Sequence, residues 1–320
     1  MMRAAFLGLS AVLISAVPAA AALNCTPKAG ASNELKNKGL CKFDAATASF
    51  AGTPSEQARC LLRPVKKQGN LGDALQSLPQ PLEDLVGKPV AFSKQDLRAF
   101  LQAASIAEKD IGGSLDKPLS RGKTTAGAAT PARYFVIHDT STPNCSEKNA
   151  CAVQNQFPAN MNQPDWSHNK TFNGHKGAAN PVAHMITNRV GASFTMLELS
   201  EPIRAVKFES CVAADAANKR GLFIHVENVQ PRLSDPLPAA GQNPRNDATA
   251  PTPGFTDPQY ERLALIYIAP SSRRGDWLIP ALHAPLDSAY RDGHDDPQNF
   301  ALESFARAVE TLLGRIKNNP

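Results

Sequence analysis

Hydrophobic positions recur along the chain at two spacings, and each spacing predicts one kind of element. Short apolar runs rich in β-branched and aromatic residues, bounded by polar or turn residues, predict four strands, at 133–139, 182–187, 192–199 and 222–227. Apolar residues that repeat every three or four positions predict three helices, at 93–109, 257–274 and 298–316. Strands separated by helices predict an α/β (α+β) fold, with a mixed central β-sheet flanked by helices.

The predicted helices carry local start and break signals. Ser93 and Thr256 precede two of them and are residue types that cap helix N-termini. Pro270 lies within the 257–274 pattern and predicts a kink or an early end, because proline lacks the backbone N–H that a helix interior needs.

The first 22 residues have the pattern of a secretory signal peptide. Arg3 supplies a positive start, Ala4–Val17 an apolar stretch and Ala19–Ala22 a small-residue cleavage site. We therefore expect an exported protein, periplasmic or secreted; an uncleaved N-terminal anchor is the alternative. No later apolar run reaches about 18 residues, so no stable membrane insertion is expected.

The remaining chain divides into two predicted parts. Residues 23–123 predict a mostly helical and loop N-terminal extension, and residues 124–320 a second domain. The segment Arg121–Arg133 is rich in Gly, Thr and Ala and predicts a linker or surface loop. Residues 152–180, rich in Asn, Gln and Gly, predict a long surface loop.

Composition narrows the class of protein. With 42% hydrophobic residues the chain can build a core, which argues against a disordered or fibrous protein. The formal charge of +5 is mild for 320 residues, so we expect no nucleic-acid partner.

The six cysteines all follow the predicted signal peptide, at positions 25, 41, 60, 145, 151 and 211. An even number of cysteines in an oxidising compartment predicts disulfides. The sequence has no C-x-x-C pair, which argues against a zinc site built from cysteines. Cys145–Cys151 is the most economical local bridge. Cys25, Cys41 and Cys60 then need one partner elsewhere.

Candidate chemistry lies with the histidines and nearby carboxylates. His138 ends a predicted strand, and His283, His294 and Asp296 lie in a polar loop before the last helix. Two histidines and one carboxylate would leave a fourth position open, as in catalytic zinc sites. Strand alternation places His225 and Glu227 on one face, either as a surface patch or as the wall of a site.

Several segments, in order, resemble the type 2 N-acetylmuramoyl-L-alanine amidases, a family of zinc amidases that also includes peptidoglycan recognition proteins. YFVIHDTS is similar to the strand that carries their first zinc ligand, VAHMITNRVGAS to the hairpin that follows, and IHVEN to their I-G-I-E-L strand. FTDPQYERLALI resembles their next helix, and LHAPLD and HDDPQNF resemble their last ligand motifs. The resemblance covers roughly residues 133–316, so residues 23–123, with three cysteines, would be a disulfide-containing extension.

The resemblance implies a role for each matched residue. His138, His283 and Asp296 would hold Zn²⁺, and Glu227 would be the general base. His294 stands where the family often has a lysine that stabilises the oxyanion. The gap between His283 and Asp296 is longer than expected, so Asp292, Asp295 or His294 could replace Asp296 as ligand.

The resemblance also implies an activity: hydrolysis of the amide bond between N-acetylmuramic acid and L-alanine in peptidoglycan or its fragments. A non-catalytic peptidoglycan-binding protein of the same fold is one alternative, and a zinc hydrolase acting on another amide is a second. We expect His184 and Lys207 to be structural and His168 and His175 to lie on a surface loop. Trp166 could stack on a sugar or peptide, or be a partly buried packing residue.

Overall fold

The computed structural model describes residues 25–67, 70–145, 181–212, 220–233, 248–291, 294 and 296–318. The predicted signal peptide and the predicted loop at 152–180 lie outside the described residues. Among the helices that are described, none combines the length and the apolar character needed to cross a membrane.

The N-terminal part is built from short elements. Its helices are α1 (Asn33–Lys38), α2 (Pro54–Leu61), α3 (Gln80–Glu83) and α4 (Lys94–Ala103). Its two hairpins pair β1 (Phe43–Asp44) with β2 (Ser49–Phe50), and β3 (Arg121–Lys123) with β4 (Ala129–Pro131). The β3–β4 hairpin stands where the sequence predicted a linker or surface loop, and the predicted domain boundary at residue 123 falls inside it.

Five strands of the described chain form the central sheet, in the spatial order β7-β6-β8-β5-β9. They are β5 (Tyr134–Ile137), β6 (Met185–Thr187), β7 (Ser193–Thr195), β8 (Phe223–Asn228) and β9 (Ile279–Leu282). All neighbouring pairs are parallel except β6 and β7, so the predicted mixed sheet is confirmed. The four predicted strands are present, three of them markedly shorter than their patterns, whereas β9 was not predicted. Its sequence, IPAL, is apolar throughout and lacks the alternation of a half-buried strand.

The described residues of the second part of the chain also form four α-helices: α5 (Phe208–Cys211), α6 (Asp257–Arg274), α7 (His283–Asp287) and α8 (Leu302–Lys317). The caps at Ser93 and Thr256 are confirmed, each as a reciprocal capping box. Helix α4 ends at Ala103, earlier than predicted, and Ser105 has a left-handed φ of 55° that no helix can continue through. Pro270 does not shorten α6, which runs on to Arg274.

Helices and N-terminal elements cover opposite faces of the sheet, as two adjacent residues of β5 show. The ring of Phe135 contacts Tyr267 of α6, with centroids 5.2 Å apart. Tyr134 points the other way, against Phe50 at 5.1 Å, and its hydroxyl donates to Gln57 Oε1 of α2 at 2.9 Å. Because this hydroxyl is buried, the hydrogen bond fixes the N-terminal part against the sheet.

Two disulfides are described completely, Cys25–Cys211 and Cys41–Cys60. As expected, one of the three N-terminal cysteines pairs outside its own region, and the bond ties residue 25 to α5. Cys145 is also disulfide-bonded, while Cys151, its predicted partner, lies outside the described residues.

We predict that the two described disulfides differ in their contribution to stability. Cys25–Cys211 spans 186 positions and Cys41–Cys60 spans 19, so the longer loop restricts the unfolded chain more. Replacing Cys25 and Cys211 by Ser should lower the free energy of unfolding by about 2 kcal/mol more than replacing Cys41 and Cys60. Denaturant unfolding of the two double variants measures this difference; an equal loss would contradict the expectation.

Candidate metal centre

The register of the parallel strands brings three candidate residues into one row. Ile137 of β5 pairs with Val226 on one side and with Leu282 on the other. One position further along the three strands, His138 therefore lies between Glu227 and His283. Since side chains alternate between faces, all three point to the same face at the carboxyl end of the sheet.

Asp296 completes the group from the loop after α7. Its Oδ2 accepts the backbone N–H of Asp139 at 3.0 Å, and its carbonyl accepts the N–H of Ala284 at 3.0 Å. The loop is thus held to the ends of both β5 and β9. These hydrogen bonds hold the Asp296 carboxylate next to the two imidazoles, although Asp296 is 158 positions from His138 in the chain.

Donor atoms of His138, His283 and Asp296 lie within 4.8 Å of one another, and this group could hold a metal ion. The two Nδ1 atoms are 2.9 Å apart, His283 Nδ1 is 3.0 Å from Asp296 Oδ1, and His138 Nδ1 is 3.8 Å from Asp296 Oδ2. The ligand atoms of a tetrahedral ion, bound at about 2.0–2.1 Å, lie about 3.3 Å from one another. The three separations lie on both sides of that distance. Each of the three residues is only 1% exposed.

Hydrogen bonding around His283 shows why a cation fits. Its Nε2 lies 2.9 Å from Asp287 Oδ2, and the two oxygens of Asp287 also accept the backbone N–H groups of Lys207 and Phe208. Because the ionised carboxylate of Asp287 can only accept hydrogen bonds, the ring proton of His283 must be on Nε2. In the neutral ring the Nδ1 lone pair then faces Asp296, whose Oδ1 is buried and accepts no hydrogen bond from the described residues. Only a cation or a proton between these atoms relieves that arrangement.

The pKa values of the two imidazoles shift in opposite directions. Burial, then repulsion from His283 and His225, lowers the pKa of His138 well below its ordinary value, which keeps its lone pair available. Burial also disfavours the charged form of His283, but Asp296 and Asp287 outweigh it and raise the pKa of His283 well above its ordinary value. His283 thus sits where the protein stabilises positive charge, whether a proton or a metal supplies it.

Glu227 lies beside this group, and one of its carboxylate oxygens has no hydrogen-bond partner among the described residues. The residue is half-buried and lines the adjoining cleft, and its Oε2 is enclosed with no hydrogen bond from the described chain. Burial, then the charges of Asp296 and Asp139, raises the pKa of Glu227 well above its ordinary value. A divalent cation at the neighbouring group would oppose that shift. The sequence left open whether Glu227 belongs to a surface patch or to the wall of a site, and this position agrees with the wall of a site.

An ion pair beneath the cleft fixes the segment after His138. Both carboxylate oxygens of Asp139 lie about 3 Å from a terminal nitrogen of Arg232, at 2.9 and 3.0 Å, and neither side chain is exposed to solvent. Asp139 Oδ1 also accepts the N–H of Ser141. Because a buried pair of this kind resists rearrangement, the backbone N–H that binds Asp296 keeps its place.

An open cleft of about 490 Å³ adjoins the group. Its lining includes Glu227, His283 and His294, and also Arg204 and Lys207. His294 is 47% exposed, and its Nδ1 is 3.6 Å from Asp296 Oδ1. His294 is not part of the described donor group, and it is among the residues that line the cleft.

The other predicted residues have mixed outcomes. His184 is buried, with its Nδ1 accepting the N–H of His225 and its Nε2 donating to the carbonyl of Glu201. Lys207 donates to the carbonyl of Arg291 and also lines the cleft. The remaining ones, Asp292 and Asp295 as alternative ligands together with Trp166, His168 and His175, lie outside the described residues.

Sequence reasoning missed the carboxylates that support the histidines. Asp287 follows His283 by four positions, the spacing of side chains on one helical face, and a prediction of helix α7 would have revealed it. Two residues have no such signal because they meet their partners only through the tertiary fold: Glu209, whose Oε2 lies 3.2 Å from His225 Nε2, and Arg232, which pairs with Asp139.

Comparison of the chain with family models, with curated proteins and with solved structures finds no match. The class that the structure itself defines is a mixed α/β protein with disulfides and a buried His-His-Asp group able to hold a metal ion.

We predict that His184 makes the protein less stable in acid. Burial, then repulsion from His225, lowers the pKa of His184 from 6.5 to about 3. Below pH 6.5 the unfolded chain binds a proton at this ring that the folded protein does not bind until about pH 3, so stability falls over that range, by up to about 1.4 kcal/mol per pH unit. His184→Asn should show a shallower dependence.

Denaturant unfolding at a series of pH values, with a chelator present, measures how the free energy of unfolding depends on pH in the wild type and in His184→Asn. Between pH 7 and 9 the two free-energy curves should run parallel, which is the internal control. Parallel curves between pH 6 and 4 as well would contradict the prediction.

Proposed function

We propose that this chain is an exported zinc-dependent amidase that hydrolyses the bond between N-acetylmuramic acid and L-alanine in peptidoglycan or its fragments. The observation that carries the proposal is the convergence of His138, His283 and Asp296, with Glu227 beside them, at the edge of an open cleft. Two imidazoles and one carboxylate form a donor set that zinc uses in catalytic sites, where a further position stays open.

The amidase family enters the proposal through the sequence resemblance. The motifs that resemble the family's zinc ligands are those whose side chains meet in space, and IHVEN supplies the acid next to them. Mixed strand directions and flanking helices agree with the coarse fold that the resemblance implies. The apolar leader in the sequence and the disulfides support export to an oxidising compartment.

A zinc ion held by His138, His283 and Asp296 would acidify a water molecule and polarise the scissile carbonyl. Glu227 accepts a proton at its free carboxylate oxygen as the water oxygen attacks the carbonyl carbon. It then returns this proton to the amide nitrogen as the C–N bond breaks. The second proton of the water passes to the same amine, which yields a carboxylate on the lactyl group and an L-alanine ammonium group. His294 donates a hydrogen bond to the developing oxyanion.

The lining of the cleft suits an anionic substrate. Its lining includes the cationic side chains Arg204 and Lys207, and also three carboxylates, of which Asp139 and Asp287 are paired with Arg232 and His283. The chain carries a net charge of +5. Positive side chains at a cleft raise the local concentration of a negatively charged polymer. No nucleic acid partner is proposed, since this charge is small for the length of the chain.

Our test separates metal binding from turnover. Glu227→Gln removes the general base but no ligand, so the variant should keep about one zinc per chain and lose about 10²–10⁴-fold in turnover of muropeptides. His138→Ala should lose both zinc and turnover. His294→Lys should remain active, because lysine can donate the same hydrogen bond with a permanent charge.

Zinc content by elemental analysis and release of free L-alanine N-termini are the two measurements. Zinc binding without any cleavage in the wild type, together with binding of peptidoglycan, would instead establish the non-catalytic binding protein; the change from lysine to His294 is what favours that second candidate. Release of reducing sugar ends, or cleavage of a different amide only, would refute the proposed specificity.

A further inference from the structure

Behind His138, on the side away from the donor group, a chain of buried polar side chains continues into the protein. Nδ1 of His138 faces His283, while its Nε2 lies 3.0 Å from His225 Nδ1. The other nitrogen of His225, Nε2, is 3.2 Å from Glu209 Oε2, an ion-pair distance, although its angles do not make this contact a hydrogen bond. His138 is 1% exposed, and His225 and Glu209 are fully buried. The proposed hydrolysis gives no role to either His225 or Glu209.

Glu209 is held as an acceptor at the inner end of this chain. Its Oε2 accepts the backbone N–H groups of Ala205 and Val206, at 3.0 and 3.3 Å. Its Oε1 accepts no hydrogen bond from the described residues. The residue belongs to α5, which the Cys25–Cys211 disulfide ties to the start of the described chain. A carboxylate in these surroundings presents negative charge to the imidazole of His225.

His225 is fixed in place from its other side. Its backbone N–H donates to His184 Nδ1 at 3.0 Å, and the two rings stack with centroids 5.9 Å apart and an interplanar angle of 11°. The ring of Phe223 flanks it at 6.1 Å. His225 therefore has little freedom to turn away from His138 and Glu209.

The positions of the ring protons follow from these contacts. If His138 binds a metal through Nδ1, its proton is on Nε2 and is donated to His225 Nδ1. His225 then carries its own proton on Nε2, which faces the Glu209 carboxylate. In the opposite arrangement, His138 directs an N–H at the metal position, and a bare lone pair of His225 faces the carboxylate. That second arrangement is unfavourable in a buried environment of low dielectric.

We propose that Glu209, acting through His225, is a positioning residue that holds His138 in the tautomer able to bind a metal and thereby raises the metal affinity of the site. The inference rests on the metal site of the proposed function. Each imidazole of the donor group is then backed by a buried carboxylate: Asp287 contacts His283 directly, and Glu209 reaches His138 through an intervening histidine. Carboxylates behind ligating histidines make the ring a stronger donor and fix its orientation.

The test measures zinc affinity by competition with a chromophoric chelator, on protein shown to be folded by circular dichroism. Glu209→Gln keeps an oxygen to accept the N–H groups of Ala205 and Val206 but removes the charge. We expect zinc affinity to fall by about 10- to 100-fold. The matched control is Glu108→Gln: Glu108 also accepts a backbone N–H, from Leu115, and lies in the N-terminal part away from the donor group. This control should leave zinc affinity unchanged.

A double-mutant cycle separates the relay from a general structural effect. His225→Phe keeps an aromatic ring in the stack but cannot connect Glu209 to His138. In the His225→Phe background, Glu209→Gln should have no further effect on zinc affinity, because the two residues act in series. Additive losses would mean that Glu209 does not act through His225, and the inference would be overturned.

The outcomes for this inference and for the proposed amidase are distinct. If the wild type binds zinc tightly and both Glu209→Gln and His225→Phe bind it with wild-type affinity, the relay is overturned and the proposed amidase activity is unaffected. Weakened and non-additive variants in a protein that cleaves no muropeptide support the relay and refute the amidase. A wild type that binds no zinc overturns both.

Discussion

The parallel register of β5 with β8 and β9 is the constraint on which the candidate site depends. It places His138 between Glu227 and His283 at the carboxyl end of the sheet, on one face. A slip of one residue in either pairing would turn one of these side chains to the opposite face, where α6 packs. The chemistry of the site is therefore a property of strand pairing first, and of the loop that carries Asp296 second.

Burial is the cost of this arrangement, and the fold offsets it with paired polar groups. An imidazole or carboxylate in the interior is unfavourable unless its hydrogen-bonding atoms find partners. Asp287 satisfies His283 and two backbone N–H groups, and Arg232 pairs with Asp139. Two of the buried atoms that make no hydrogen bond within the described residues, Asp296 Oδ1 and Glu227 Oε2, lie where a cation and a substrate are proposed to bind.

Much of this could be predicted from the sequence, for reasons that particular residues show. YFVIHD and IHVEN have the composition and flanking turns of strands, so His138 could be placed at a strand end, and Glu227 on one face of its strand with His225. Only the register of the sheet shows that His138 and Glu227 share a face. Asp296 and His283 were grouped by their closeness in the chain and by resemblance to amidase motifs. Strand β9 escaped prediction because a run of four apolar residues has no period. Glu209 could not be found, because nothing in its local sequence shows that α5 packs behind His225.

The measurement that tests the central claim most directly is X-ray absorption at the zinc edge of protein loaded with one equivalent of the metal. The account predicts two imidazole nitrogens and additional oxygen ligands, all at about 2.0–2.1 Å, with imidazole scattering reduced in His283→Ala. A zinc ion that stays loosely hydrated, or a spectrum with sulfur at about 2.3 Å, would contradict the claim that His138, His283 and Asp296 form one metal centre.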